Sequence, residues 1–188
     1  LAFISGLFGF VGMGAAAAPL ARLLFNFFLF LFLVAVFVLV AFHEFGHAYV
    51  AKVQGDRTAE AAGRLTLNPL AHVDVFGLLM VIVVGFGYAK PVPTDPRNFK
   101  SRYSTLWVAA AGPLMNLVLA FISANVFSFL VANGGLEAGP RTFLSLLAKI
   151  NILLMLFNLV PVGPLDGHYI LPYFLPKKAA YQYQVLNL

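Results

Sequence analysis

His43, Glu44 and His47 stand in the order His-Glu-Phe-Gly-His. In a helix, residues four apart share one face, so both imidazoles can address a single ion. Glu44, next round the helix from His43, then stands beside a metal-bound water and can take its proton, which is the chemistry of metal-assisted hydrolysis. The chain has no cysteine, so thiolate zinc sites and disulfides are excluded and any metal must be held by nitrogen and oxygen. A catalytic zinc usually takes three protein ligands and leaves one position to water. Candidates for the third ligand are His72, Asp74, Asp95, Asp166 and His168, and spacing alone leaves the choice open. Asp166, in Leu165-Asp166-Gly167, reads equally well as a plain Asp-Gly turn at a helix end.

The elements that must position these groups are apolar. Of 188 residues 61% are hydrophobic and 10% charged, and the mean hydropathy of +0.90 is that of a membrane protein. With about 20 residues needed to cross ~30 Å of hydrocarbon, residues 1–188 make one core of a few spanning helices, without room for a sizeable soluble domain. The strongest span runs from Leu23 to about Val53, a second from about Leu106 to Val131, and a third from about Phe143 to Val160, stopped by Pro161 and Pro164. Val75 to Phe86 is apolar but too short to cross, so it reads as a re-entrant or interfacial segment. Leu1 to Pro19, rich in Gly and Ala, is compatible with a further span, the tail of one, or an interfacial helix. Gly63 to Asn68 alternates partly like a strand, and Tyr88 to Asp95 is extended by its prolines. The predicted fold is therefore an all-α polytopic membrane protein: a bundle of three to five transmembrane helices, a re-entrant segment, and a small β-hairpin or sheet near the active site.

Charge supports this reading. The formal net charge is +5, but the basic residues are scattered through loops without a dense stripe bearing aromatics, so nucleic acid is not the expected partner. Lys52, Arg57, Arg64, Lys90, Arg97, Lys100, Arg102, Lys177 and Lys178 fall on one side of the predicted spans, which the positive-inside rule makes cytoplasmic. Arg22 and Arg141 fall on the other, and Lys149 lies within or near the start of the third span. A rise of 1.5 Å per residue puts His47 and His43 roughly 8–14 Å below the surface marked by Lys52. The expected location is a multi-pass cell-membrane protein whose reactive groups lie within the bilayer, nearer the cytoplasmic side. An intramembrane carboxylate costs ~2.5–3.5 kcal/mol on insertion scales, so Glu44 and its neighbours are functional by default.

Three motifs, in order, resemble the site-2 proteases, the family of intramembrane zinc metalloproteases: His43-Glu44-Phe45-Gly46-His47, Ala111-Gly112-Pro113-Leu114-Met115-Asn116, and Asn158-Leu159-Val160-Pro161-Val162-Gly163-Pro164-Leu165-Asp166-Gly167. The connecting stretches Gly63 to Asp74 and Ala89 to Pro93 are similar to the short, prokaryote-type members without PDZ or CBS domains. The resemblance implies zinc held by His43, His47 and Asp166, Glu44 as general base, and a single-span membrane protein in the lipid bilayer as substrate, cut by regulated intramembrane proteolysis. Such short members usually continue beyond the position of Leu188 into another apolar segment. His2Asp ligation with an open position suits zinc best. Asn158, eight residues before Asp166, is a catalytic candidate, its amide binding substrate backbone or a developing oxyanion; an interhelical hydrogen bond is an equal reading. Asn116 with Gly112 reads first as support for close helix packing, and His72 and His168 as interfacial histidines. The stretch around Arg64 to Asn68 is a candidate for holding an unwound substrate by strand addition. The alternatives are a divalent-metal transporter, opposed by the absence of internal repeats, and an inactive scaffold, opposed by the presence of Glu44.

Overall fold

The structure is a computed structural model and describes residues 18–84, 89–134 and 137–186. Helix α1 (Ala18–Val53) runs unbroken for 36 residues, about 54 Å at 1.5 Å per residue and so longer than the hydrocarbon core of a bilayer is thick. Its sequence contains nothing that stops it. Pro19 sits in the first turn, where a missing N–H costs nothing, and Gly46 is its one glycine. The helix ends where Gly55 turns left-handed at φ 106°, a conformation open to glycine without strain, and the N–H groups of Gly55 and Asp56 bond back to the carbonyls of Lys52 and Ala51 at 3.0 and 2.9 Å.

Two short helices follow, α2 (Thr58–Ala61) and α3 (Val75–Val84). The Asp74 carboxylate accepts the Gly77 N–H at 2.9 Å and starts α3. At 10 residues, about 15 Å, α3 is too short to cross a membrane, as predicted from sequence; residues 85 and 86 of that segment lie outside the described residues. Helices α4 (Ser104–Ala132) and α5 (Ala138–Asn158) are consecutive and antiparallel. Among the described residues, Ser104–Ala132 and Gly139–Asn158 are long and apolar enough to cross a membrane. Helix α1 begins earlier than the predicted first span, at Ala18, and α5 earlier than the predicted third, at Ala138, because Pro140 in a first helical turn extends a helix instead of breaking it. The reading of Leu1 to Pro19 falls outside the described residues except for Ala18 and Pro19, which open α1.

Helix α4 is the centre of the bundle, packing against α1, α5 and the short α6 (Asp166–Ile170). Its buried residues are mostly small: Ala109, Ala111, Gly112, Ala120 and Ser123, joined by Val108, Pro113 and Asn116. Small residues let helix backbones approach closely where lipid offers no hydrophobic drive for association. A final helix, α7 (Lys177–Leu186), is tied back by the Tyr183 hydroxyl donating to the Pro161 carbonyl at 2.7 Å.

The predicted β-hairpin or sheet is not found: the described residues contain no strand. Gly63 takes φ 68° and Gly63 to Asn68 forms turns and bends. Pro91 and Pro93 offer no N–H to a ladder. One backbone hydrogen bond and side-chain bonds join the two stretches instead of a ladder. Lys90 N–H donates to the His72 carbonyl at 2.9 Å, the Arg64 guanidinium donates to the Lys90 carbonyl, and His72 Nε2–H donates to the Thr66 carbonyl at 2.9 Å. The template for strand addition around Arg64 to Asn68 is therefore absent.

Candidate metal centre

His43 and His47 lie on the last third of α1, and Asp166 is the first residue of α6, on the far side of α4 in sequence. The fold closes the gap. His43 Nε2 is 3.1 Å from His47 Nε2 and 3.2 Å from Asp166 Oδ2, and His47 Nε2 is 3.3 Å from Asp166 Oδ1. All three ligand atoms lie within 4.8 Å of one another, and both imidazoles are buried.

The outer nitrogens show what the inner ones must do. His43 Nδ1 faces Asn116 Oδ1 at 3.1 Å, and His47 Nδ1 faces the Val108 carbonyl at 2.7 Å. Each acceptor fixes the proton on Nδ1 and leaves a lone pair on Nε2. Two lone pairs and a carboxylate then point at one another, and the buried Asp166 Oδ2 has no hydrogen-bond donor of good geometry. Three acceptors at van der Waals distance repel unless a cation sits among them. The donor set fits a divalent metal, and two histidines with one carboxylate suit zinc.

Glycines make room for this. A Cβ built on Gly112 would press into His47 Nε2 and lie 2.6 Å from His43 Nε2. One on Gly46 would lie 2.9 Å from the Ala111 carbonyl oxygen, and one on Gly167 would collide with the Leu159 carbonyl. The Gly112 backbone thus forms the wall against which both imidazoles rest.

Of the remaining sequence candidates, Asn116 proves more than a packing residue: it is fully buried in α4 and orients His43. Its position in the Ala111 to Asn116 motif was visible in the sequence, but its partner, 73 residues away, was not. Asn158, half-buried at the end of α5, donates from Nδ2 to the Leu154 carbonyl of its own helix at 2.9 Å. Asp74 caps α3, and Asp95 is held by Arg97 at 2.7 Å, which takes its carboxyl down to about 2. His168 stacks near Tyr169 and Tyr183, with ring centroids 4.9 and 5.4 Å away. Asp74, Asp95 and His168 stand outside the group that the fold brings together.

Arg64 and His72, expected in a strand-like stretch and at the interface, form a buried loop cluster instead. Arg64 is 5% exposed and His72 2% exposed. Arg64 Nη2 lies 3.3 Å from His72 Nδ1, and Arg64 Nε is buried with no partner. Burial pushes the Arg64 guanidinium below its usual value, opposed by the negative charge of Glu44, so this cation lies within electrostatic reach of the site. In the same loops, burial would raise the Asp56 carboxyl, but hydrogen bonds from Thr58, Asp95 N–H and Asn98 outweigh it and hold Asp56 below the ordinary range.

Comparison with known proteins agrees with this geometry. Residues 31–134 and 129–185 match Peptidase family M50. The chain is 42% identical over 149 residues to YwhC of Bacillus subtilis, covering 76% of this chain and 68% of that protein. It is 29% identical over 151 residues to Rip2 of Mycolicibacterium smegmatis (72% and 56%), and 29% identical over 148 residues to MJ0392 of Methanocaldococcus jannaschii (79% and 35%). All three bear zinc-metalloprotease names. The chain thus spans two thirds of the first relative, just over half of the second and about a third of the third. No solved structure matches it.

Proposed function

The chain belongs to peptidase family M50 and is a zinc metalloprotease, and from that premise we propose that it hydrolyses peptide bonds in or near the transmembrane segment of single-span membrane proteins, within the bilayer. The observation that carries the proposal is the convergence of His43, His47 and Asp166 to within 4.8 Å between helices of membrane-spanning length. With α1 counted beside α4 and α5, three helices cross, and the long loops between α1 and α4 carry six of the twelve basic residues and face the cytoplasm.

Bound by these three ligands, zinc supplies Lewis-acid activation of a water and of the scissile carbonyl. The protein does the rest. Asn116 and the Val108 carbonyl hold the two rings so that their Nε2 lone pairs face inward. Glu44, one position round the helix from His43, takes a proton from the attacking water as it adds to the carbonyl carbon, then delivers it to the amide nitrogen as the C–N bond breaks. The C-terminal fragment leaves as an amine and the N-terminal one as a carboxylate. A transmembrane helix hides its peptide bonds, so the substrate must unwind locally to present one. Asn158, at the end of α5 and eight residues before Asp166, is suited to hold the unwound backbone once its amide is drawn from the Leu154 carbonyl.

The test is cleavage of a panel of single-span substrates by purified protein in lipid, wild type against Glu44→Gln, with bound zinc assayed in both. Loss of cleavage by roughly 10²–10⁴-fold with zinc retained is expected for removal of a general base. Equal cleavage by both proteins removes Glu44 from that role.

A further inference from the structure

The far end of the bundle holds cations that form no ion pair among the described residues. Helix α5 is 21 residues long, about 31 Å, close to the thickness of the hydrocarbon core. Lys149 lies eleven residues from its start, about 16 Å in, and so near mid-depth. Arg141 lies near the mouth. Neither has an ion-pair partner among the described residues. The chain has seven carboxylates, all within the described residues. Five belong to the metal centre or the loops on its side, and a sixth, Asp166, is a ligand. Only Glu137 lies at this end, exposed and without an ion pair. None of the described carboxylates pairs with Lys149.

Arg141, Ser145 and Lys149 are spaced four apart along one row of α5, and with Thr142, Leu146 and Phe127 of α4 they line a groove of about 380 Å³. Its lining combines two cations and two hydroxyls with one aromatic and one aliphatic side chain. The long aliphatic stem of Lys149 lets its ammonium rise along the groove towards Arg141. Intramembrane cations are costly and are kept where they meet a partner, and these stand on the side where the positive-inside rule disfavours them.

We propose that the groove between α4 and α5 binds one anionic phospholipid, its phosphate between Arg141 and Lys149 over the Ser145 hydroxyl and an acyl chain along Phe127 and Leu146. A headgroup without a cation of its own, such as phosphatidylglycerol, leaves the phosphate charge for the two side chains, whereas phosphatidylcholine neutralises it internally. The site lies at the opposite end of α4 and α5 from the ligands and does not depend on what the metal centre cuts.

The experiment is native mass spectrometry of the delipidated full chain titrated with phosphatidylglycerol or with phosphatidylcholine. Wild type should retain one phosphatidylglycerol at about tenfold lower concentration, as two basic side chains near a phosphate imply. Arg141→Gln with Lys149→Gln should erase that preference while bound zinc is unchanged, and Lys149→Arg should keep it. Equal retention of the two lipids by wild type, or an undiminished preference in the double variant, overturns the proposal. Inorganic phosphate in large excess should leave retention unaltered; displacement by it overturns the assignment to a lipid. Proteolysis is not read, so a chain that cleaves nothing still tests the groove.

Discussion

Two buried polar clusters lie along the lower half of α1 and the loop above it, and they are wired in opposite ways. In the loop cluster each charge meets groups of opposite polarity: Asp56 receives hydrogen bonds from Thr58, Asp95 N–H and Asn98, and Arg64 donates to Lys90 and His72. In the centre below, two Nε2 lone pairs and a carboxylate crowd together with no donor among them. Apart from Arg64 Nε, which is buried without a partner, the first cluster satisfies itself and serves as scaffold; the second brings acceptors together with no donor between them. Buried polar groups that satisfy one another hold a fold, while buried acceptors left facing each other mark a binding site.

The contrast is open to direct tests, the largest effect first. Asp166→Ala removes the one anionic ligand, so bound zinc and cleavage should both be lost, measured by metal analysis and substrate turnover; retained zinc would show that the carboxylate is not part of the centre. Gly112→Ala pushes a methyl group into both imidazoles, so bound zinc and activity should fall sharply while the α4 packing elsewhere survives; near-wild-type metal content would mean that the rings have room to retreat. Asn116→Leu deletes the group that orients His43 and should weaken zinc affinity by roughly 10–100-fold, as outer-shell losses do, read by competition with a chelator. Asp56→Asn should leave zinc affinity intact and lower stability by about 1–3 kcal/mol, as for a buried group whose donors lose a charged partner, read by thermal or denaturant unfolding.

Asp56 also sets a pH signature. Its folded pKa lies below the unfolded value of about 3.9. The contribution of Asp56 is therefore full above that value and is lost as pH falls through the lower folded pKa. Wild type should lose stability over that acid range and Asp56→Asn should lose less; parallel curves would place the acid sensitivity elsewhere.

Much of the site was legible in residue types and short spacings. The i, i+4 histidines and the adjoining glutamate need only a helix to become a facing pair, and an apolar chain without cysteine narrows both the solvent and the ligand chemistry. The long helices were legible because lipid imposes a minimum apolar length, and α3 because it falls short of it. The β-sheet expectation failed because alternation over a few residues cannot reveal that Gly63 turns the chain, that Pro91 and Pro93 withhold donors, and that Arg64 and His72 supply side-chain bonds in place of a ladder. His72, read as interfacial, is buried for the same reason.

The sequence by itself determined which residues could hold a metal and that its helices are long and apolar enough for lipid, and its resemblance to a family pointed to Asp166 as the third ligand. Only the tertiary structure decided that Asp166 meets His43 across 123 residues of chain, that Asn116 turns that histidine inward, and that Gly112 is the wall behind both rings. Helical periodicity acts within four residues and is written locally. The approach of α1, α4 and α6 depends on which small residues face one another across helices, and a one-dimensional pattern does not carry that pairing.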